Sequence, residues 1–173
     1  MTRKLFTILV CSILLQTYPA LAQNNSSNGE GVPSCGDPAI KFDVITDKPG
    51  SAAQPEPGKA LVYFVEDDVD LGSPKPTTRI GIDGAWAGAN HGNSFFSVSV
   101  SPGVHHLCAS WQTGIVIGQA GRVAALHFTA DAGGVYYFEV KNRNSDTTFK
   151  PLDGDEGQLL ASRFSLAAFH PKK

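Results

Sequence analysis

No excess of basic charge runs through this chain, which sets 14 Lys and Arg against 16 Asp and Glu in 173 residues. A nucleic-acid binder needs a concentrated basic surface, so that class of partner is excluded. Charge of either sign is sparse, at 17%. With 10 Phe and 4 Tyr as well, the composition argues against a disordered polyelectrolyte. Long hydrophobic runs are lacking beyond the N-terminus, where Leu5 to Leu15 is almost unbroken. Even that run falls short of the ~20 apolar residues that cross a bilayer. There is no long amphipathic helical pattern and no internal repeat, and the length suits one domain rather than two.

Cysteine is scarce too, confined to Cys11, Cys35 and Cys108. No C-x-x-C pair exists, which removes the commonest structural zinc signature. A Gly-x-Ser-x-Gly elbow is missing, as is a phosphate-cradling glycine loop ahead of a helix. Asp and His are too dispersed to define a triad, which is recognised by geometry rather than composition. The expectation is a non-catalytic protein with no cofactor.

What is present begins with an address. Arg3 and Lys4 precede the apolar run, and Ala20-Leu21-Ala22 follows it with a small-x-small cleavage pattern. Residues 1–22 therefore read as a cleaved signal peptide, cut before Gln23. Cys11 follows Val10 inside the apolar run, so acylation there is not expected. The mature chain is expected to be exported, periplasmic or secreted, with no transmembrane segment after cleavage. It keeps only Cys35 and Cys108, and an exported protein with one pair of cysteines usually oxidises them. A bridge across 73 positions contributes roughly 4 kcal/mol in the chain-entropy treatment.

Residues 23–57 read as a flexible N-terminal arm and Pro-rich linker, tied down by that disulfide. Gln23 to Pro33 is rich in Asn, Ser and Gly, and Lys48 to Gly58 holds three prolines and two glycines. Between them Ile40, Phe42 and Val44 alternate with Lys41 and Asp43, a short strand that Cys35 would staple to the main domain.

Residues 58–173 read as β throughout. Ala60 to Val65 is a compact β-branched and aromatic run suited to a strand buried on both faces. Asp83-Gly84 joins Arg79–Ile82 to Ala85–Ala87 as a two-residue hairpin, in a register that sets Gly81 opposite Trp86. Ser94 to Val100 alternates, with Phe96, Val98 and Val100 on one face, and Ser101-Pro102-Gly103 turns the chain. Further strands are predicted over Val104–Trp111, Val123–Ala130, Val135–Lys141 and Ser165–His170, with a short helix over Asp155–Ser162. Short strands at regular spacing predict a single all-β, immunoglobulin-like antiparallel β-sandwich with one short helix near the C-terminus. For Gly114 to Gly121 the pattern leaves strand and loop open.

These strands and turns also carry a resemblance. Gly58-Lys59-Ala60-Leu61-Val62-Tyr63-Phe64, then Ile80-Gly81-Ile82-Asp83-Gly84, Gly88, Ser101-Pro102-Gly103-Val104-His105-His106-Leu107 and Val135-Tyr136-Tyr137-Phe138-Glu139-Val140 resemble the small exported bacterial domains grouped as domain of unknown function 2846. The Asp-Gly, Gly and Pro-Gly-x-His arrangement is also similar to PEGA domains, which are extracytoplasmic β-sandwich modules. The likeness covers about residues 58 to 170 and rests on turn chemistry. It implies a PEGA-like sandwich in a bacterial envelope or secreted context, and no catalytic residue to carry over.

Three sets of residues are candidates for function. Trp86 and Phe95 would form an exposed aromatic surface able to stack on sugars or anchor a protein. His106 and His127 each lie opposite an apolar strand face, and if their strands are neighbours they are candidate metal ligands, short of the three or four a stable site wants. The acidic runs Glu66-Asp67-Asp68-Val69-Asp70 and Asp153-Gly154-Asp155-Glu156 lack calcium-loop spacing and read as solvated loops. The expected role is a module that binds another envelope component, protein or glycan. Carbohydrate binding through the aromatics and metal binding through the histidines are the alternatives.

Overall fold

A computed structural model describes residues 35–49, 53–68, 75–112, 123–143 and 146–173. The expected signal peptide, the beginning of the arm and the 114–121 segment lie outside the described residues. Ten strands and one helix follow in order: β1 (Phe42–Pro49), β2 (Ala60–Glu66), β3 (Thr77–Ile82), β4 (Ala85–His91), β5 (Ser94–Val100), β6 (Gly103–Trp111), β7 (Val123–Ala130), β8 (Val135–Arg143), β9 (Asp146–Leu152), α1 (Gly154–Arg163) and β10 (Ser165–Pro171). They form a two-sheet sandwich with one short helix near the C-terminus, as the strand pattern predicts. One sheet has six strands in the order β1-β10-β5-β2-β8-β9, and the other four in the order β4-β3-β6-β7.

Pairing is not antiparallel throughout. β2 runs parallel to β8, and β10 runs parallel to β5. A parallel neighbour needs a long crossover. Between β2 and β8 the chain visits the four-stranded sheet twice, through β3-β4 and through β6-β7, and those excursions supply it. The domain also begins earlier than residue 58. β1 zips antiparallel onto β10, so Phe42 to Val44 of the alternation and part of the supposed linker, Lys48 and Pro49, are an edge strand of the large sheet.

Strand periodicity sorts side chains cleanly onto two faces. Ala60, Val62 and Phe64 of β2 meet Phe96 and Val100 of β5, Phe138 and Val140 of β8, and Ile80, Leu107 and Ala109 of the opposite sheet, all buried between the layers. The other face of β2 carries Leu61, Tyr63 and Val65, buried with Phe95 and Tyr137 beneath Leu160, Ala161 and Phe164. β2 is covered on both sides, which is why it reads as a continuous apolar run.

The helix that covers this outer face starts at a built N-cap. Asp153 accepts a hydrogen bond from the Glu156 backbone N–H at 2.8 Å, Asp155 and Glu156 occupy the first turn, and Arg163 the last. Those charges complement the helix dipole. The second acidic run is thus a helix start rather than a solvated loop. The hairpin turn also has the predicted form, with positive φ at both Asp83 (52°) and Gly84 (85°), and Gly81 pairs with Trp86.

Candidate functional site

The outer face of the six-stranded sheet is only partly covered by α1. Between the helix, the sheet and residues 53–55 runs a groove of about 490 Å³, a volume within the ~300–1,000 Å³ range of small-molecule sites. Tyr63, Phe95 and Tyr137 line its floor, and Gln54, Gln158 and Ser162 stand among its rim residues. Among the described residues no charged side chain lines it. Parallel pairing puts Tyr63 and Tyr137 at the same height on β2 and β8, and their rings stack at 4.8 Å between centroids. Antiparallel pairing brings Phe95 beside Val65, 6.1 Å from the Tyr63 ring.

Polar atoms orient this apolar floor. The Tyr63 hydroxyl accepts from the Ala53 backbone N–H at 2.9 Å and donates to the Ala53 carbonyl at 3.2 Å. That pair of bonds fastens the 53–55 segment over the sheet. Gln158 on α1 hydrogen-bonds the Tyr137 side chain, whose hydroxyl is pushed to a higher pKa mainly by burial. The Tyr137 hydroxyl therefore stays neutral at physiological pH, and the groove offers dipoles and ring surface.

The two aromatics proposed as one exposed surface are not one surface. Phe95 is only 2% exposed and lies in the groove floor. Trp86 belongs to the other sheet, on its outer face. There the arm crosses it: the indole N–H donates to the Asp37 carbonyl at 2.7 Å, and the Arg79 guanidinium stacks 4.4 Å from the ring centroid. Arg79 in turn donates to the carbonyls of Pro38 and Ile40. The disulfide Cys35–Cys108 anchors this crossing, with its Cα atoms 5.3 Å apart. Trp86 is a seat for the arm, which explains a tryptophan at a hairpin without invoking a ligand.

The first acidic run is also placed differently from the expectation. Glu66 and Asp68 are buried, at 0% and 1% exposure. Glu66 is the next inward position after Ala60, Val62 and Phe64, so the parity of β2 drives it between the sheets. It joins a polar layer that closes one end of the core. Asn142 donates to Glu66 Oε1 at 2.5 Å, to Thr78 Oγ1 at 3.1 Å and to Asp68 Oδ1 at 3.4 Å. Its carbonyl oxygen accepts from the Trp111 indole N–H at 2.5 Å and from the Thr147 hydroxyl at 3.0 Å. Thr78 donates to Glu66 Oε1 at 2.7 Å. Burial pushes the Glu66 pKa well above its ordinary 4.5, and the neighbouring Asp68 charge adds to it. Burial raises Asp68 as well, against the opposing effect of the hydrogen bond from Glu66. Glu66 and Asp68 lie close enough for one side chain to hydrogen-bond the other while Glu66 keeps its proton, and Glu66 Oε2 and Asp68 Oδ2 accept from no donor among the described residues.

His106 and His127 do face each other, as a cross-strand pair on β6 and β7, both exposed. His105 points the other way. Its Nδ1 lies 2.6 Å from Asp83 Oδ2 and its Nε2 2.7 Å from the Ser101 carbonyl. Among the described residues no three His, Cys, Asp or Glu side chains group closely enough to hold a metal ion.

Comparison with known proteins does not assign any of these features. No family model, curated protein or solved structure matches this chain. Function must therefore be read from the geometry.

Proposed function

We propose that this is an exported, non-catalytic binding module whose ligand is an uncharged, amphipathic small component of the cell envelope, held between α1 and the outer face of the large sheet. One observation carries the reading, namely the groove of about 490 Å³ floored by Tyr63, Phe95 and Tyr137 and lined, among the described residues, by no charged side chain. An anion or cation would lose hydration there without finding a counter-charge. A ligand with an apolar body and a few hydrogen-bonding groups would contact the ring edges and use Gln54, Gln158 and Ser162 for orientation. The signal-like N-terminus and the resemblance to domain of unknown function 2846 and PEGA modules support an envelope setting.

The test blocks the groove at its rim. Ser162 is exposed on α1 and lines the groove, so Ser162→Trp places a ring at the mouth without cutting into the sheet. Wild type and variant, shown by thermal melting to be equally folded, are incubated with envelope extract, repurified and weighed by native mass spectrometry. The reading expects a bound neutral species on the wild type that is absent from the variant. Recovery of no such species, or of equal occupancy on both proteins, would refute it.

A further inference from the structure

The outer face of the four-stranded sheet carries a second arrangement, independent of the groove. His106 on β6 and His127 on the edge strand β7 stand directly opposite each other. The kind of opposition matters, because an antiparallel ladder alternates wide and narrow pairs. The His106 backbone N–H donates to Asp83 Oδ1 at 2.8 Å, and its carbonyl accepts from the Asp83 N–H at 2.9 Å. Both backbone groups of a strand residue point to the same side, here toward the β3–β4 turn and away from β7. His106 and His127 are therefore a non-hydrogen-bonded pair, the closer of the two geometries, with Cα atoms about 4.5 Å apart. Their ring centroids are 6.2 Å apart and the planes 42° from parallel.

That spacing suits a shared ion. Two metal–nitrogen bonds of about 2.0–2.1 Å, set at tetrahedral or right angles, need ring nitrogens roughly 3 Å apart. Imidazoles whose centres lie 6.2 Å apart reach that by small rotations about χ1 and χ2, since both side chains are exposed and unclamped by backbone. No basic side chain stands within the pair's registers, which hold Val104 and Thr129 on one side and Cys108 and Ala125 on the other. The Asp83 carboxylate lies at the edge of the site, its Oδ1 accepting from the His106 backbone N–H and its Oδ2 paired with His105. Cys108 is committed to Cys35, so its sulfur does not compete for the ion.

We infer that His106 and His127 together form a bidentate imidazole site for a divalent transition metal of the copper, nickel and zinc class, with the remaining coordination positions open to water or to an outside donor. Imidazole nitrogen is the shared preference of these ions. The second histidine binds an ion already held by the first, so the pair has the advantage of effective concentration over any lone histidine on the surface.

Titration of the purified, untagged protein with Cu²⁺, followed by electron paramagnetic resonance and calorimetry, tests this directly. The expected result is one dominant site with a two-nitrogen signature. Either His106→Gln or His127→Gln should weaken it by at least about tenfold and reduce the signature to one nitrogen. His91→Gln and His170→Gln should leave the site unchanged. Melting curves without metal establish that all four variants are folded. A one-nitrogen spectrum in the wild type, a loss of less than tenfold in either pair variant, or loss of the site in His91→Gln or His170→Gln would overturn the inference. A wild-type groove that binds no ligand would leave this result untouched.

Discussion

Replacing Glu66 by glutamine should stabilise the protein at neutral pH, although it removes a hydrogen-bonded, fully buried side chain. The reason lies in the proton that Glu66 keeps. In the unfolded chain Glu66 ionises around its ordinary 4.5, whereas burial and the Asp68 charge hold it protonated far above that in the fold. Above pH 4.5 the native state thus binds more protons than the unfolded one, and stability must fall as pH rises, until Glu66 ionises in the native state too. One retained proton makes the slope about −1.4 kcal/mol per pH unit. Two units of that window remove roughly 3 kcal/mol, a large share of a total of about 5–15 kcal/mol. The amide in Glu66→Gln keeps the shape of the protonated acid. Its oxygen still accepts from Thr78 and Asn142, and its nitrogen can donate toward the Asp68 carboxylate beside it. Other groups act on the cluster, namely Asp67 and Lys75 beside Asp68, and His105 titrates elsewhere with its own pKa raised, as the bonds to Ser101 and Asp83 outweigh a lowering by burial. Comparing wild type with variant at each pH cancels those contributions. Urea unfolding at intervals between about pH 4 and pH 8 is the assay. The two proteins should be similar near pH 4 and diverge upward from there, the variant becoming more stable by 1 kcal/mol or more near pH 7, an order-of-magnitude figure. Parallel curves, or a variant that is less stable at every pH, would show that Glu66 is ionised in the fold and that the retained proton is wrong.

Two further substitutions probe the packing that positions the groove and the arm. Gly157→Ala lies within α1, where alanine ordinarily gains about 1 kcal/mol over glycine, but an added Cβ would overlap the Tyr137 ring. The expected outcome is a lowered melting temperature and a displaced helix, whereas the same change at Gly154, where an added Cβ meets nothing within 4 Å, should be nearly neutral. Cys35→Ser releases the arm from Cys108 and should cost about 2–4 kcal/mol. It should also increase Trp86 quenching by acrylamide, because the ring loses its cover at residues 36–40.

Much of the sandwich can be read along the chain. Alternation at Ser94–Val100, the Asp83-Gly84 turn and the apolar run of β2 are local consequences of side-chain periodicity and backbone sterics, and the structure returns each of them. β9 is the strand that pattern reading misses. Its Thr147, Thr148 and Phe149 are β-formers, but Pro151 and the short Asn144-Ser145 link blur the signal, and its identity comes from the antiparallel partner β8. The acidic residues at the end of β2 are a different kind of omission. Continuing the parity of Ala60, Val62 and Phe64 by one step would have placed Glu66 inside. Charge argued for solvent, and only the donors converging from β3 and β8 make burial tolerable.

Local order therefore settled which segments are strands, β9 apart, where the turns between them fall, and that two cysteines are available to pair outside the apolar N-terminal run. The fold alone decided which side chains from distant strands share a face. Tyr63 and Tyr137 become neighbours because β2 and β8 are parallel after two excursions through the other sheet. His106 meets His127 because β6 and β7 pair in one particular register. Trp86 and Phe95, close in sequence, are separated because β4 and β5 belong to different sheets. A periodic pattern says which way a side chain points relative to its own strand, but the identity of the facing strand depends on how the sheets close over the whole core, and no local interaction encodes that.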